Sequence, residues 1–167
     1  MFEKDQIVVY RLNVCRVAGI LPNYRNGEDY YELRGVHDTT LTIKTPVKLA
    51  DSCARLTISN TEARNLVDGV VDIEDISTDS ETIQRVCDIH LKKGSHEDLL
   101  RIVKAHYNQR QQGDTKPYAR WSERDKSAFR NAERVLYREI GAALGKTAES
   151  ARRSIYERLV LRPASVT

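Results

Sequence analysis

The sequence has few of the residues that build metal centres or disulfide frameworks. Its 167 residues include three cysteines and four histidines. No two cysteines form a C-x-x-C pair, and no histidine stands at metal-ligating spacing from a cysteine or carboxylate. We therefore interpret the cysteines as small buried side chains, and we expect no metal site and no disulfide framework.

Sequence signatures of catalysis are also missing. There is no G-x-S-x-G, no H-E-x-x-H and no Walker-type glycine loop. The glycines stand alone, and we interpret them as residues that end helices or form turns. The expectation is a protein that is not an enzyme, has no cofactor and takes no small-molecule substrate.

Long hydrophobic runs are absent as well. No apolar segment approaches the roughly 20 residues of a membrane span. The N-terminal segment MFEKDQIVVY is charged before a short apolar run and lacks the longer apolar region of a signal peptide. We therefore expect a cytoplasmic protein with no membrane partner.

Charge is distributed unevenly along the chain. Residues 1–79 hold 9 Lys and Arg against 13 Asp and Glu, a net charge of −4, whereas residues 80–167 hold 18 against 11, a net charge of +7. Opposite signs in the two halves indicate two modules with different partners. The basic half is the candidate for contact with phosphates.

The first half of the chain carries β-type patterns. Short β-rich runs occupy residues 7–10, 14–21, 30–46 and 55–58, and residues 22–29 have the composition of a turn. Four or five short strands within about sixty residues are typical of a small antiparallel SH3-like or Tudor-like barrel. The chain is therefore predicted to be α+β, with two domains.

Residues 30–46, YYELRGVHDTTLTIKTP, read as a hairpin. Tyr31 and Leu33 alternate with polar residues in its first strand, as Leu41 and Ile43 do in its second, and Pro46 ends that strand. The pattern alone fits a solvated hairpin of a small barrel. It also fits a sheet edge to which an extended partner adds a strand.

The second half is helical. A short helix over 62–67 closes the first domain, residues 1–69, and the acidic segment 70–79 is predicted to be a linker. Residues 80–167 then form a compact bundle of four helices, with a polar loop at 111–120. Their predicted caps and terminating glycines are Asp79 or Ser80, Gly94, Ser95, Ser122, Gly145 and Thr147.

Basic residues recur along the third of these helices. They stand every fourth residue, at Lys126, Arg130, Arg134 and Arg138, while Lys92 and Lys93 lie at a helical joint. They could contact phosphates, as in non-specific nucleic-acid binding. The pattern alone favours a solvated face that is partly neutralised by Glu123, Glu133 and Glu139.

Four blocks of the chain, taken in order, carry a family resemblance. They are FEKDQIVVY at 2–10, LTIKTP at 41–46, LKKG at 91–94 with the following helix LLRIVKAHYNQR, and SERDK at 122–126. Together they resemble the CarD/CdnL family of bacterial RNA-polymerase-binding transcription regulators. The resemblance implies a Tudor-like polymerase-interacting domain, shared with transcription-repair coupling factor, followed by a helical DNA-contacting domain.

The resemblance also implies two sets of contact residues. The strand of the LTIKTP block would pair with an edge of the polymerase β subunit through Thr42, Ile43, Lys44, Thr45 and Pro46, with Arg25 nearby in the preceding loop. In the second domain Arg85, Lys104 and Lys126 fall near basic positions of the family. With Lys92, Lys93 and Arg130 they would contact the backbone of promoter DNA without sequence specificity.

One departure from the family bears on the DNA half of this prediction. Many members place a wedge tryptophan 14 residues before the glycine of the joint, and counting back from Gly94 gives Ser80 here. A serine cannot unstack a base step as an aromatic wedge does. The alternative is therefore an adaptor that binds polymerase and has no DNA role.

Overall fold

The chain folds into a β-rich N-terminal part followed by a helical part, in a computed structural model that describes residues 1–111 and 121–161. This arrangement confirms the α+β class. The strands are β1 (Ile7–Tyr10), β2 (Asn13–Arg25), β3 (Glu28–Gly35), β4 (Thr42–Pro46) and β5 (Ala54–Leu56). The helices are α1 (Val47–Cys53), α2 (Asn60–Gly69), α3 (Ser80–Lys93), α4 (His96–Gln111), α5 (Glu123–Leu144) and α6 (Ala148–Val160).

The five strands form one antiparallel sheet in the order β4-β3-β2-β1-β5. Leu33 pairs with Ile43 in the predicted hairpin, and the chain later returns so that Arg55 of β5 pairs with Val9 of β1. Within the described residues β4 and β5 lie at opposite edges and do not pair with each other. The sheet is therefore open, and its closure into a barrel is not confirmed.

The turn predicted at 22–29 is wrong in its extent. β2 continues to Arg25 and β3 begins at Glu28, so that only Asn26 and Gly27 turn the chain. Their φ angles are +53° and +72°, as in the two-residue turns that favour Asn-Gly. The strand accommodates the proline at 22 because its pairing with β3 is irregular between Leu21 and Arg25.

Helix α1 is a further difference from the prediction. Pro46 ends β4 as expected, but it is also the N-cap residue of α1, which then leads into β5. Helix α2 begins earlier than predicted because the Ser59 hydroxyl and the Glu62 carboxylate form a reciprocal capping box. Short capping signals of this kind are easily missed next to a strand.

The other helix limits follow the predicted signals. The side chains of Asp79, Ser122 and Thr147 accept backbone N–H groups at the starts of α3, α5 and α6. Gly94 and Gly145 follow the ends of α3 and α5 with positive φ. Most of the predicted polar loop at 111–120 lies outside the described residues.

The helices share one core. Its fully buried members include Ile83, Val86, Leu99, Ile102, Phe129, Leu136, Ile140 and Ile155, as the helical spacing predicts. Val160, predicted to face this core, is instead 67% exposed because it lies in the last turn of α6. Trp121 packs on Phe129 with the ring centroids 5.4 Å apart, which confirms its predicted packing role.

The helical core also includes residues that precede α3. Ala63 and Val67 of α2 are buried in it, as is Val70, and Ile73 packs against it. The segment predicted to be a linker is thus packed along the helices rather than extended between two bodies. The domain limits themselves remain a prediction.

A second core lies under the sheet, and a small third cluster joins the two halves. Val8, Val17, Tyr31 and Leu33 are buried under the sheet. In the third cluster Val9 and Val14 pack against Val135 of α5. Helix α5 therefore contacts both halves of the molecule.

None of the helices in the described ranges combines the length and hydropathy needed to cross a bilayer.

Candidate functional site

Strand β4 forms an outer edge of the sheet. Among the described strands it pairs only with β3, so its other side has no strand partner. Thr42 and Lys44 are exposed, Ile43 and Pro46 are half-buried, and Thr45 is 3% exposed. An incoming strand would therefore meet the backbone of β4 and the exposed side chains at 42 and 44, but not the side chain of Thr45.

Lys44 is held in place by an aromatic side chain of β2, which lies two strands away from β4 in the sheet. Its Nζ donates to the Tyr24 hydroxyl at 3.1 Å and lies 4.8 Å from the centre of that ring. Tyr24 is itself 47% exposed and packs against Tyr30, with the tilted rings 5.2 Å apart between centroids. Arg25, the other residue predicted for this surface, is exposed at the end of β2.

The predicted DNA-contacting residues differ in accessibility. Arg85, Lys92, Lys93 and Arg130 are exposed. Lys126 is half-buried and pairs with Glu123 at 2.9 Å. Lys92 pairs with Asp88 at 3.1 Å, whereas Arg130 forms no ion pair within the part of the chain that the structure describes.

Lys104 has a different environment. It is 4% exposed, and its ammonium donates to the carbonyl oxygens of Val71 and Ile73 at 2.5 Å each. These bonds tie the 70–79 segment to α4. The side chain therefore stabilises the fold and does not reach the surface where a phosphate would bind.

Ser80, the residue that the resemblance would align with a wedge tryptophan, forms hydrogen bonds within the fold. It is the first residue of α3, and its hydroxyl donates to Asp125 Oδ1 at 2.9 Å. Gln84 donates to the same oxygen at 2.7 Å. Hydrogen bonds from Gln84 and Ser80 lower the pKa of Asp125 against the effect of its burial. The same two bonds link α3 to α5 through this carboxylate.

A cluster of four polar side chains lies buried where the sheet meets the helices. Arg55 of β5 forms two hydrogen bonds to Glu139 of α5, at 2.6 Å to Oε1 and 2.9 Å to Oε2. The Glu139 side chain is fully buried and that of Arg55 is 10% exposed. A bidentate pair of this kind is strong and directional, and it joins two elements that are 84 residues apart in sequence.

Two histidines complete this cluster, which we call the junction cluster (Arg55, His90, His96 and Glu139). His96 Nε2 lies 3.0 Å from Glu139 Oε1. His90 is fully buried, and its Nε2 lies 3.1 Å from Glu139 Oε2 without the direction of a good hydrogen bond. The two rings stack edge to face at 4.8 Å.

The junction cluster shifts the pKa of its buried members. Burial by itself would raise the pKa of Glu139, but the close contact with His90 Nε2 and the hydrogen bonds from His96 and Arg55 lower it far below the usual range. Burial lowers the pKa of His90 despite the neighbouring carboxylate of Glu139. The cluster therefore favours an ionised Glu139 beside a neutral His90.

The possible ligand atoms of His90, His96 and Glu139 lie within 4.8 Å of one another, as in some metal sites. Two features oppose this interpretation. His90 Nδ1 accepts the backbone N–H of Ser95 at 3.0 Å, so a neutral His90 carries its proton on Nε2 and cannot ligate through that atom. Arg55 already neutralises Glu139. The geometry fits a structural ion-pair network.

The two buried cysteines, Cys15 and Cys87, have thiols whose pKa is raised rather than lowered. Burial raises the pKa of Cys15 to about 11 and that of Cys87 to about 12. The prediction of buried side chains is confirmed for these two, whereas Cys53 is half-buried.

Sequence reasoning missed the junction cluster. It assigned Glu139 to a solvated face, which is wrong, since Glu139 is fully buried. The signal was present in α5, because Glu139 follows Leu136 by three residues and precedes Ala143 by four, and so falls on the apolar face. Nothing in the sequence pointed to Arg55 as its partner.

Comparison of the chain with protein-family models and with curated proteins finds no matching family and no significant relative.

Proposed function

We propose that this protein is a transcription regulator of the CarD type. It binds the β subunit of RNA polymerase through the outer edge of β4 and contacts promoter DNA non-specifically through its basic helical half. The observation that carries the proposal is the edge position of β4 with Lys44 exposed on it. This is the strand that the family resemblance assigns to polymerase.

The physical support for docking is the chemistry of a free strand edge. An edge strand presents unpaired backbone N–H and C=O groups that an extended partner can bind by adding a strand. The charge and exposure of Lys44 supply selectivity for a partner edge that carries a carboxylate. Tyr24 holds the Lys44 side chain at the surface.

We also propose a more specific description of the fold, in which the sheet is an SH3- or Tudor-like domain and the helices form a second domain. The order β4-β3-β2-β1-β5, in which the last strand returns to the first, supports the former. The separate hydrophobic clusters under the sheet and among the helices support the latter.

The DNA half of the proposal rests on accessible cations. Arg130 and Arg134 are exposed on α5, and Arg85, Lys92 and Lys93 are exposed on α3. Contacts from such residues to phosphates would bind duplex DNA through counterion release and without reading its sequence. Lys104 is excluded from this surface because its ammonium is bonded to backbone carbonyls.

Reversing the charge of Lys44 tests the docking surface. We expect Lys44→Glu to weaken binding to the isolated β subunit by about tenfold or more, because a like charge would face the partner edge. The matched control is Lys48→Glu on α1, whose lysine is exposed close to β4 but lies outside the strand. Binding measured by interferometry that is equal for both variants would reject β4 as the docking edge.

Removing Arg130 tests the DNA surface. We expect Arg130→Ala to reduce the slope of log K against log salt by about one, since one phosphate contact is lost. Arg158→Ala is the control because Arg158 already pairs with Asp68 at 2.7 Å. The measurement is a fluorescence-anisotropy titration of duplex DNA at several salt concentrations.

The same titration decides the alternative function. Ser80 in place of a wedge tryptophan, with its hydroxyl committed to Asp125, favours an adaptor that binds polymerase without a DNA role. Negligible affinity for duplex DNA at low salt, together with Lys44-dependent polymerase binding, would establish that alternative. DNA binding without any polymerase binding would reject both.

A further inference from the structure

Each ring nitrogen of His90 contacts a different polar group. Its Nδ1 accepts the backbone N–H of Ser95 at 3.0 Å, in the turn between α3 and α4, and its Nε2 faces Glu139. The ring is fully buried. The acceptor nitrogen can therefore take up a proton only if the bond from Ser95 is broken, because two N–H groups would otherwise point at each other.

The backbone of His90 is part of the same arrangement. Its carbonyl oxygen accepts Arg55 Nη2 at 2.9 Å and Arg55 Nε at 3.2 Å, and also the N–H of Gly94 at 2.9 Å. Gly94 has a φ of +81°, and a Cβ there would lie 2.9 Å from His96 Cε1. The turn that joins α3 to α4 is thus packed directly against the junction cluster.

We propose that His90 is a proton-operated latch on the α3–α4 turn, residues 94–95. With Nδ1 unprotonated, the Ser95 hydrogen bond keeps the turn closed. A solvent proton that binds Nδ1 replaces that bond, and the turn opens while the two helices remain folded.

The charges around the ring explain why protonation opens the turn. The groups that face His90 are Arg55 from β5, His96 from α4 and Glu139 from α5. The single negative charge of Glu139 already receives two hydrogen bonds from Arg55. A second full positive charge on a buried His90 would be poorly compensated, so the protonated ring is stable only where water reaches it.

The latch has a consequence for the DNA surface if the proposed function is right. Lys92 and Lys93 stand at the end of α3, immediately before the turn. Because α3 stays folded, opening would leave their spacing from Arg85 unchanged but would alter their distance from the exposed arginines of α5. Acidification would then weaken DNA binding through the position of these lysines as well as through any change in global stability.

The test is native-state amide hydrogen exchange of the full chain, read residue by residue by NMR. Opening exposes a ring with an ordinary pKa of about 6.5, so below that pH the open population, and the loss of Ser95 protection, should rise by up to about tenfold per pH unit. Protection in the middle of α5, at Leu136, should fall less. In His90→Gln the excess loss at Ser95 should disappear, whereas His37→Gln should retain it.

Several results would overturn the latch. Ser95 protection factors that do not change with pH would do so, as would an equal fall at Ser95 and Leu136, which indicates global unfolding. Persistence of the excess loss in His90→Gln would assign it to another group. These outcomes do not depend on DNA, so a failure of the latch and a failure of the proposed function are distinguishable.

Discussion

Arg55→Met is expected to lower the free energy of unfolding by about 3–5 kcal/mol, because it leaves the Glu139 carboxylate buried without its cation. Glu139 is fully buried, and both of its oxygens accept hydrogen bonds from Arg55. Urea unfolding followed by far-UV circular dichroism measures the change. Methionine retains much of the apolar stem of arginine, so the loss of charge dominates the result.

The control for this prediction is an exposed ion pair on the same half of the molecule. Lys48 and Glu28 lie 3.1 Å apart, but their side chains are 77% and 40% exposed. Lys48→Met should leave the free energy of unfolding nearly unchanged, since exposed pairs contribute little. Equal effects of the two substitutions would show that the Arg55 pair does not stabilise the junction.

A double variant separates two free-energy contributions: the destabilisation by an unpaired buried charge and the stabilisation by the intact ion pair. Arg55→Met combined with Glu139→Met removes both buried charges, and we expect it to be more stable than Arg55→Met alone. A double variant as unstable as the sum of the single variants would indicate that packing, and not the buried charge, accounts for the loss.

We also expect a large loss of the free energy of unfolding when the pH is lowered. The pKa of His90 is lowered in the folded protein, mainly by burial, so between that value and about 6.5 the unfolded chain binds more protons. The stability from this group is complete above about pH 6.5 and is lost as the pH falls, by up to about 1.4 kcal/mol per pH unit.

Glu139 extends the acid effect to lower pH. The polar contacts of its carboxylate with His90, His96 and Arg55 outweigh burial and lower its pKa below the ordinary 4.5. Its stabilisation is therefore present above about pH 4.5 and is lost as the pH falls further. Unfolding free energies measured at a series of pH values should show both ranges.

The control for the acid prediction is again a pair of histidine variants. His90→Gln should flatten the pH dependence between about pH 6.5 and 4.5, because the titrating ring is gone. His37→Gln should leave the pH dependence in place, since His37 lies outside the junction cluster. The Nε2 of His37 instead lies 2.8 Å from the carbonyl oxygen of Arg138. An unchanged pH dependence in His90→Gln would exclude His90 as its source.

Much of the local structure could be predicted because its causes lie within a few residues. The side chains of Ser122 and Thr147 cap the helices that follow them, and Gly94 and Gly145 end the helices before them. The alternation around Leu33 gave the hairpin its correct pairing with the strand that contains Ile43. Where two local signals overlapped, as at Pro46 and Ser59, the elements that began there were missed or shortened.

The candidate docking surface was predicted more completely than the DNA surface. Lys44 is exposed on an edge strand, as the alternation and Pro46 indicated. Lys104, by contrast, was assigned to DNA from its charge and position, yet it is buried and bonded to the 70–79 segment. Charge in a sequence does not reveal whether carbonyl groups from a distant segment surround it.

By itself, then, the sequence determined the α+β order, most helix limits, the apolar faces and the division of charge, since each depends on the periodicity and composition of short segments. Only the tertiary structure decided that the sheet is open in the described residues and that α5 contacts both halves. It alone brought Arg55, His90, His96 and Glu139 together. The physical reason is that β5, α3, α4 and α5 supply one side chain each, and burial removes the water that would otherwise screen their charges.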